Sequence, residues 1–169
     1  DGLAEAFNGG DCDLTSNQNI CHGGGIYLYN DIPGTYTFLN ISNCRFLDNG
    51  ARFGGGISAN FGSGSGGIRV EKCYFENNGC SGEGGALYIL TGQSPQYQFR
   101  VDSCTFYSNY GYSASGISVN NTNDSLDLRI THSHFQNNKA TLSCAGIYIG
   151  NVGFHKPLID RCFFIHNEA

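Results

Sequence analysis

The sequence predicts an all-β fold, a right-handed parallel β-helix (solenoid) of about five to six coils, with ~30 residues and three short strands in each. Three observations carry that expectation. First, a run of small residues followed by apolar ones recurs: Gly24-Gly25-Ile26, Gly55-Gly56-Ile57, Gly85-Ala86-Leu87, Ser115-Gly116-Ile117 and Ala145-Gly146-Ile147, with the leading apolar residues 31, 30, 30 and 30 apart. Second, another motif runs in phase with it: Cys44-x-Phe46-x-x-Asn49, then Cys73/Phe75/Asn78, Cys104/Phe106/Asn109, Ser133/Phe135/Asn138 and Cys162/Phe164/Asn167, with an earlier copy at Cys12/Leu14/Asn17. Third, the apolar residues alternate in short period-two stretches whose phase slips. Leu39 and Ile41 face one way, but Cys44 and Phe46 begin an odd number of residues later, so the chain turns a corner near Ser42-Asn43.

Taken in chain order, each coil justifies itself locally. Repeats of this period form solenoids, propellers or arrays. No window carries a helical stripe, and a propeller blade needs about 40–45 residues. The first strand follows the glycine pair (Ile26-Tyr27-Leu28 and its copies). A variable segment comes next: 30–37, 60–66, 91–97, 120–126 and 150–157, rich in Gly, Ser, Asn and Pro and read as surface loops. The second strand holds Leu39/Ile41, Ile68/Val70, Phe99/Val101 and Leu128/Ile130, with Ile159 continuing the series, and the third holds the Cys-x-Phe pair. Stacked at about 4.8 Å, these residues form apolar columns, a phenylalanine column (Phe46, Phe75, Phe106, Phe135, Phe164) and an asparagine column (Asn49, Asn78, Asn109, Asn138, Asn167). Each Asn is expected to take the left-handed conformation at a corner while its amide bonds along the column, and the Gly pairs to supply positive φ and close approach.

These motifs resemble the repeats of the chlamydial polymorphic outer membrane proteins, which carry GGA[ILV] and FxxN, and similar repeats in large eukaryotic surface proteins. The matching pieces are Gly23-Gly24-Gly25-Ile26, Gly54-Gly55-Gly56-Ile57 and Gly84-Gly85-Ala86-Leu87, the degenerate Ala114–Ile117 and Cys144–Ile147, and the five Phe-x-x-Asn copies. The resemblance runs from Cys12 to Asn167 and implies a surface-exposed β-helix region of the kind implicated in adhesion.

Composition agrees with an extracellular setting. The 169 residues carry a formal net charge of −5, with 8 Cys and only 14% charged residues. No apolar run reaches the ~18 residues of a membrane span, and nothing is basic enough for a nucleic-acid face. The chain is expected to be one β-helix segment over 1–169, a piece of a longer extracellular or cell-surface protein.

Five cysteines, Cys12, Cys44, Cys73, Cys104 and Cys162, share one inward column with Ser133. Neighbours about 4.8 Å apart fall inside the disulfide window, yet side chains in register point in parallel, which suits stacked thiols better than bridges. Cys21, Cys80 and Cys144 fall in corner segments and read as small buried residues. Asn40, Asn120 and Asn123 head N-x-Ser/Thr sequons. Asn40 is expected to point outward between Leu39 and Ile41, and Asn120 and Asn123 to lie in a loop.

No catalytic constellation emerges. Beside the cysteine column only Asp11 and Asp13 pair two acids, and the coil next to them adds none. His132-x-His134 lacks further ligands at the aligned positions Ser103, Thr105, Arg161 and Phe163, so both read as surface histidines and no metal or other cofactor is expected. The one outward pattern is aromatic: Tyr27, Tyr88 and Tyr148 alternate with Ser58 and Ser118, a column suited to sugar rings or another protein, or to plain packing against loops. The expectation is therefore a non-enzymatic structural or adhesion module, a stalk or assembly scaffold displaying its loops. Its partners would be other subunits or cell-surface molecules, glycans among them. The alternative is a carbohydrate-active β-helix protein, lyase- or hydrolase-like or glycan-binding.

Overall fold

Residues about thirty apart do lie over one another. The computed structural model describes residues 12–15, 18–92, 97–121, 126–150 and 157–169, with the side chains of 12–15, 18–21 and 121 outside the described set. Among the described residues every regular element longer than a turn is a strand, and the strands stack in parallel into four sheets. Sheet A holds Cys12–Thr15, Cys44–Leu47, Tyr74–Glu76, Thr105–Tyr107, His134–Gln136 and Phe163–Ile165. Sheet B holds Gln18–His22, Gly50–Phe53, Gly79–Cys80, Tyr110–Gly111 and Lys139–Ala140. Sheet C holds Ile26–Tyr29, Ile57–Phe61, Leu87–Thr91, Ile117–Asn121 and Ile147–Gly150. Sheet D holds Tyr36–Ser42, Ser65–Glu71, Tyr97–Asp102, Leu126–Thr131 and Leu158–Asp160.

Two details of the expected architecture need correction. Each coil has four strands, not three: the segment after each column Asn, read as a corner, pairs with its neighbours as sheet B. Those strands shrink to two residues from Gly79–Cys80 onward and carry no apolar alternation, so a period-two pattern could not reveal them. The expected five to six coils is a count of stacked strands. The solenoid makes about four turns of about 29 residues.

Register follows the sequence repeat. Phe46 pairs with Phe75, Phe75 with Phe106, Phe106 with Phe135, and Phe135 with Phe164. Their rings stack at centroid distances of 4.7, 4.9, 4.6 and 4.9 Å, with their planes nearly parallel, because strand spacing leaves no other separation. Small residues make room for them. A Cβ on Gly56 would sit 2.8 Å from the Ala86 carbonyl oxygen and 3.0 Å from the Phe75 ring.

The asparagine column uses the whole side-chain amide. Nδ2 of Asn78 donates to Oδ1 of Asn109 (3.0 Å) and to the Phe46 carbonyl (2.8 Å), while its own Oδ1 accepts from the Asn49 backbone N–H (3.2 Å) and Nδ2 (3.0 Å). Asn109 and Asn138 repeat the pattern one and two coils on. Two donors and two acceptors are thereby filled inside a core that water does not reach.

The left-handed residue is not the column Asn but the one before it: Asp48, Asn77, Ser108, Asn137 and His166 have φ between 49° and 55°. A second set, Asn43, Lys72, Ser103, His132 and Arg161, turns the corner into sheet A, where the phase slip appears. The ladder bonds need each Asn aimed inward, and a single left-handed residue just before it accomplishes that. Gly23, Gly54 and Gly84 occupy the corner into sheet C with φ of 57°, 62° and 69°.

The segments read as loops are partly core. Phe61 and Tyr97 are buried, and the Tyr97 hydroxyl donates to the Gly64 carbonyl at 3.2 Å. Asp31 clamps two successive loops, accepting from the Ser63 backbone N–H (2.7 Å), the Ser63 hydroxyl (2.8 Å) and the Tyr29 hydroxyl (3.0 Å).

In the cysteine column, Cys44, Cys73, Cys104 and Ser133 are buried. The expectation of stacked thiols fails at Cys44, which is disulfide-bonded and has Cys12 opposite it in the strand register, whereas Cys73, Cys104 and Cys162 are free thiols. Cys80 is buried and its thiol is pushed up to about 12 by that burial.

Candidate functional site

Alternation in sheet D turns Leu39/Ile41, Ile68/Val70, Phe99/Val101 and Leu128/Ile130 inward, so the residues between them face out. In register these are Asn40, Arg69, Arg100, Arg129 and Leu158, which puts three arginines on consecutive coils. The outward column on one side runs Phe38, Gly67, Gln98, Asp127, and on the other Ser42, Glu71, Asp102, Thr131, Asp160. A groove of about 450 Å³ lies over this face, lined among others by Phe38, Arg69, Gln98, Arg100, Asp102 and Leu158. Gly67 lets Phe38 lie close over the strand: a Cβ there would approach the Phe38 ring to 2.8 Å and the Gln98 carbonyl oxygen to 2.2 Å.

The polar groups of the groove are held in place by one another. Arg100 donates through both terminal nitrogens to the two oxygens of Asp127, at 2.9 and 2.5 Å, and Arg129 Nε reaches the same carboxylate at 3.2 Å. Arg69 Nε donates to Glu71 at 2.7 Å. Asp102 accepts from Thr131 (2.5 Å) and Ser103 (3.0 Å) and bonds His132 Nδ1 at 2.9 Å. Arg161 donates to His132 Nε2 (3.2 Å), so the neutral ring carries its hydrogen on Nδ1 and gives it to Asp102. The Thr131 hydroxyl, ahead of the His132 bond, holds the Asp102 carboxyl below its ordinary range, and the Arg100 guanidinium does the same for Asp127. Both are ionised acceptors near neutral pH, and neither is poised to give up a proton. Arg69 is thus paired with Glu71, Arg100 and Arg129 share Asp127, and Asp102 is held by Thr131, Ser103 and His132, so the face is dense in fixed donors and acceptors with both signs of charge interspersed.

The sites singled out from sequence are distributed elsewhere. Tyr27, Tyr88 and Tyr148 do form one column on the outer face of sheet C, but Tyr88 is buried and cannot serve as an exposed rung. Phe53 covers it at 5.1 Å between centroids, and the neighbouring Ser118 hydroxyl donates to Glu83 at 3.0 Å. Tyr27 is exposed but stacks on His22 at 4.9 Å. Packing against the sheet B corner thus consumes much of the column. Of the sequons, Asn40 is half-buried on the sheet D face. Asn120 is in a strand rather than a loop, and its Nδ2, the atom a glycan would need, donates to Glu83. Asn123 lies outside the described residues, as does Asp11, and the side chain of Asp13 is likewise outside them. His132 and His134 are exposed, the latter stacked on Phe163 at 4.9 Å.

The arginine column was missed from sequence although its signal was present. The same register that placed Asn40 outward places Arg69, Arg100 and Arg129 in line with it; attention to the flanks of the cysteine column alone passes them by.

A family model described as the Chlamydia polymorphic membrane protein repeat matches residues 72–90. The match supports the resemblance drawn from the GGA[ILV] and FxxN motifs, and with it a surface- or outer-membrane-associated repeat module. No curated protein and no solved structure matches the chain. The matched stretch runs from the left-handed Lys72 through the Phe75 strand and the Gly84 corner into the sheet C strand at Leu87–Thr91. It contains the scaffold part of one coil and none of sheet D. No helix among the described residues is long and apolar enough to cross a membrane.

Proposed function

We propose that this chain is part of a non-enzymatic extracellular or cell-surface module that holds a rigid, laterally exposed surface for adhesion or assembly. One observation carries the reading: the recurring residues are consumed by the stack and its corners, while the outward groups of sheet D, absent from the matched repeat, converge on a single groove. A stiff column presenting a fixed pattern of donors and acceptors suits recognition, since little side-chain freedom is lost when a partner docks. The ionised state of Asp102 and Asp127 favours recognition over hydrolysis, which needs one carboxyl kept protonated as acid.

Beads coated with the purified chain should adhere to cultured cells or to immobilised copies of the chain. Incubation with a polysaccharide panel, with and without calcium, should release no new reducing ends or unsaturated products. Release that disappears in Asp102→Asn or Asp127→Asn would replace the display reading with a carbohydrate-cleaving one.

A further inference from the structure

We infer that the groove over sheet D is a binding site for a linear, uncharged saccharide lying along the solenoid axis. The inference rests on the display reading above and names the ligand class for the same face. The groove reaches from Phe38 in the first sheet D strand to Leu158 in the fifth. Four steps at ~4.8 Å make roughly 19 Å, room for several sugar rings in a row. Its volume of about 450 Å³ falls in the range of small-ligand sites.

The chemistry of the walls selects among polymers. Hydroxyl groups both donate and accept, and the groove offers guanidinium and amide donors (Arg69, Arg100, Gln98) interleaved with carboxylate acceptors (Glu71, Asp102). Arg100 is already oriented by Asp127, Asp102 by Thr131 and His132, and Arg69 and Glu71 by each other, so a ligand meets prearranged donors and acceptors. Phe38, stacked on Tyr36 at 6.4 Å, gives one end an aromatic surface, and Leu158 gives the other an apolar one. A nucleic acid would require a strongly positive face, whereas here Arg69 is paired with Glu71 and Arg100 and Arg129 share Asp127. A protein partner would require an apolar centre, and the centre of this groove is its most polar part.

The test is calorimetric titration of the whole chain with neutral β-1,4-linked glucose and N-acetylglucosamine hexasaccharides, with acidic hexasaccharides and a Glu-rich peptide as comparisons. Binding of a neutral hexasaccharide is expected, little changed between low and high salt. It should weaken at least tenfold in Gln98→Ala and in Arg69→Ala, both exposed, and stay unchanged in Lys139→Ala on sheet B. Circular dichroism and thermal melting confirm that each variant folds. Binding of only the acidic sugars or the peptide, or neutral-sugar binding indifferent to Gln98→Ala and Arg69→Ala, would overturn the inference. No titration at all, with coated beads still adhering to cells, would overturn the saccharide site and leave the display reading standing. Sugar binding lost in Gln98→Ala, with no adhesion by the beads, would do the reverse.

Discussion

At the scale of single residues, the asparagine column bears the largest local consequence. Asn109→Ala removes the acceptor for the Asn78 backbone N–H and amide, and the donor to the Phe75 carbonyl, all in a dry interior. A net hydrogen bond is worth about 1 kcal/mol and a stranded buried group costs about 1–3, so the variant should lose roughly 3 kcal/mol in urea unfolding. A loss below about 1 kcal/mol would mean that water enters the column. Thiol chemistry gives a second check. Cys73, Cys80 and Cys104 are buried, and burial raises the thiols of Cys80 and Cys104. Iodoacetamide should therefore modify Cys144 and Cys162 in the native protein and reach the other three only in denaturant, as peptide mapping would show. The column positions were legible in the sequence because a core residue repeats whenever its neighbours above and below are copies of itself. The backbone angles were not: the left-handed residues are Asp, Asn, Ser, Lys, His and Arg by turns, with no common side chain to announce them.

At the scale of the elements, sheet D is where charge meets the scaffold. Asp102 and Asp127 have carboxyls lowered from an unfolded value of 3.8, so the native state binds fewer protons than the unfolded one as pH falls. Their contribution is complete well above pH 3.8 and disappears as pH drops through the lower folded values. Both side chains are partly solvated, so screening holds the effect to about 1 kcal/mol or less per carboxylate. The thermal midpoint should stay level from pH 7 to about pH 5 and fall below about pH 4, with a shallower acid limb in the Asp102→Asn/Asp127→Asn double variant. An unchanged acid limb would assign acid sensitivity to other carboxylates. Sheet C shows the limit of alternation as a guide to exposure. Period two places Tyr88 outward, and it is outward, but the Phe53 side chain from a neighbouring corner covers it, a contact that no pattern within one strand records. Sheet B was invisible for a related reason, since its later strands are two residues long and turn only one small side chain or glycine inward, Cys80, Gly111 and Ala140.

At the scale of the whole molecule, each coil touches only its neighbours, so stability should be close to a sum of coil and interface terms. The register gives this a direct test. Phe75 and Phe106 occupy equivalent places on adjacent coils, so deleting Glu76 through Phe106 joins Phe75 to Tyr107 and removes one full repeat without shifting any column. The new neighbours are already matched: Phe46, Phe75 and Phe135 would stack in sequence, Asn78 would be replaced by Asn109 beneath Asn49, and Phe61 would meet Leu126, the register partner of Tyr97. The shortened chain should keep its β-sheet circular dichroism and unfold cooperatively. Its urea m value should fall roughly in proportion to the 31 residues removed from 169, because m follows the surface exposed on unfolding. A control deletion two residues longer, ending at Ser108, should fail to fold, because it joins Phe75 directly to Asn109, removing the left-handed corner residue and pulling Asn109 out of the asparagine column. If the in-register deletion also fails, stability resides in a contact specific to the removed coil. The Glu83 bond to Ser118 and the Phe53–Tyr88 stack are the first to restore, because both cross from that coil to its neighbours.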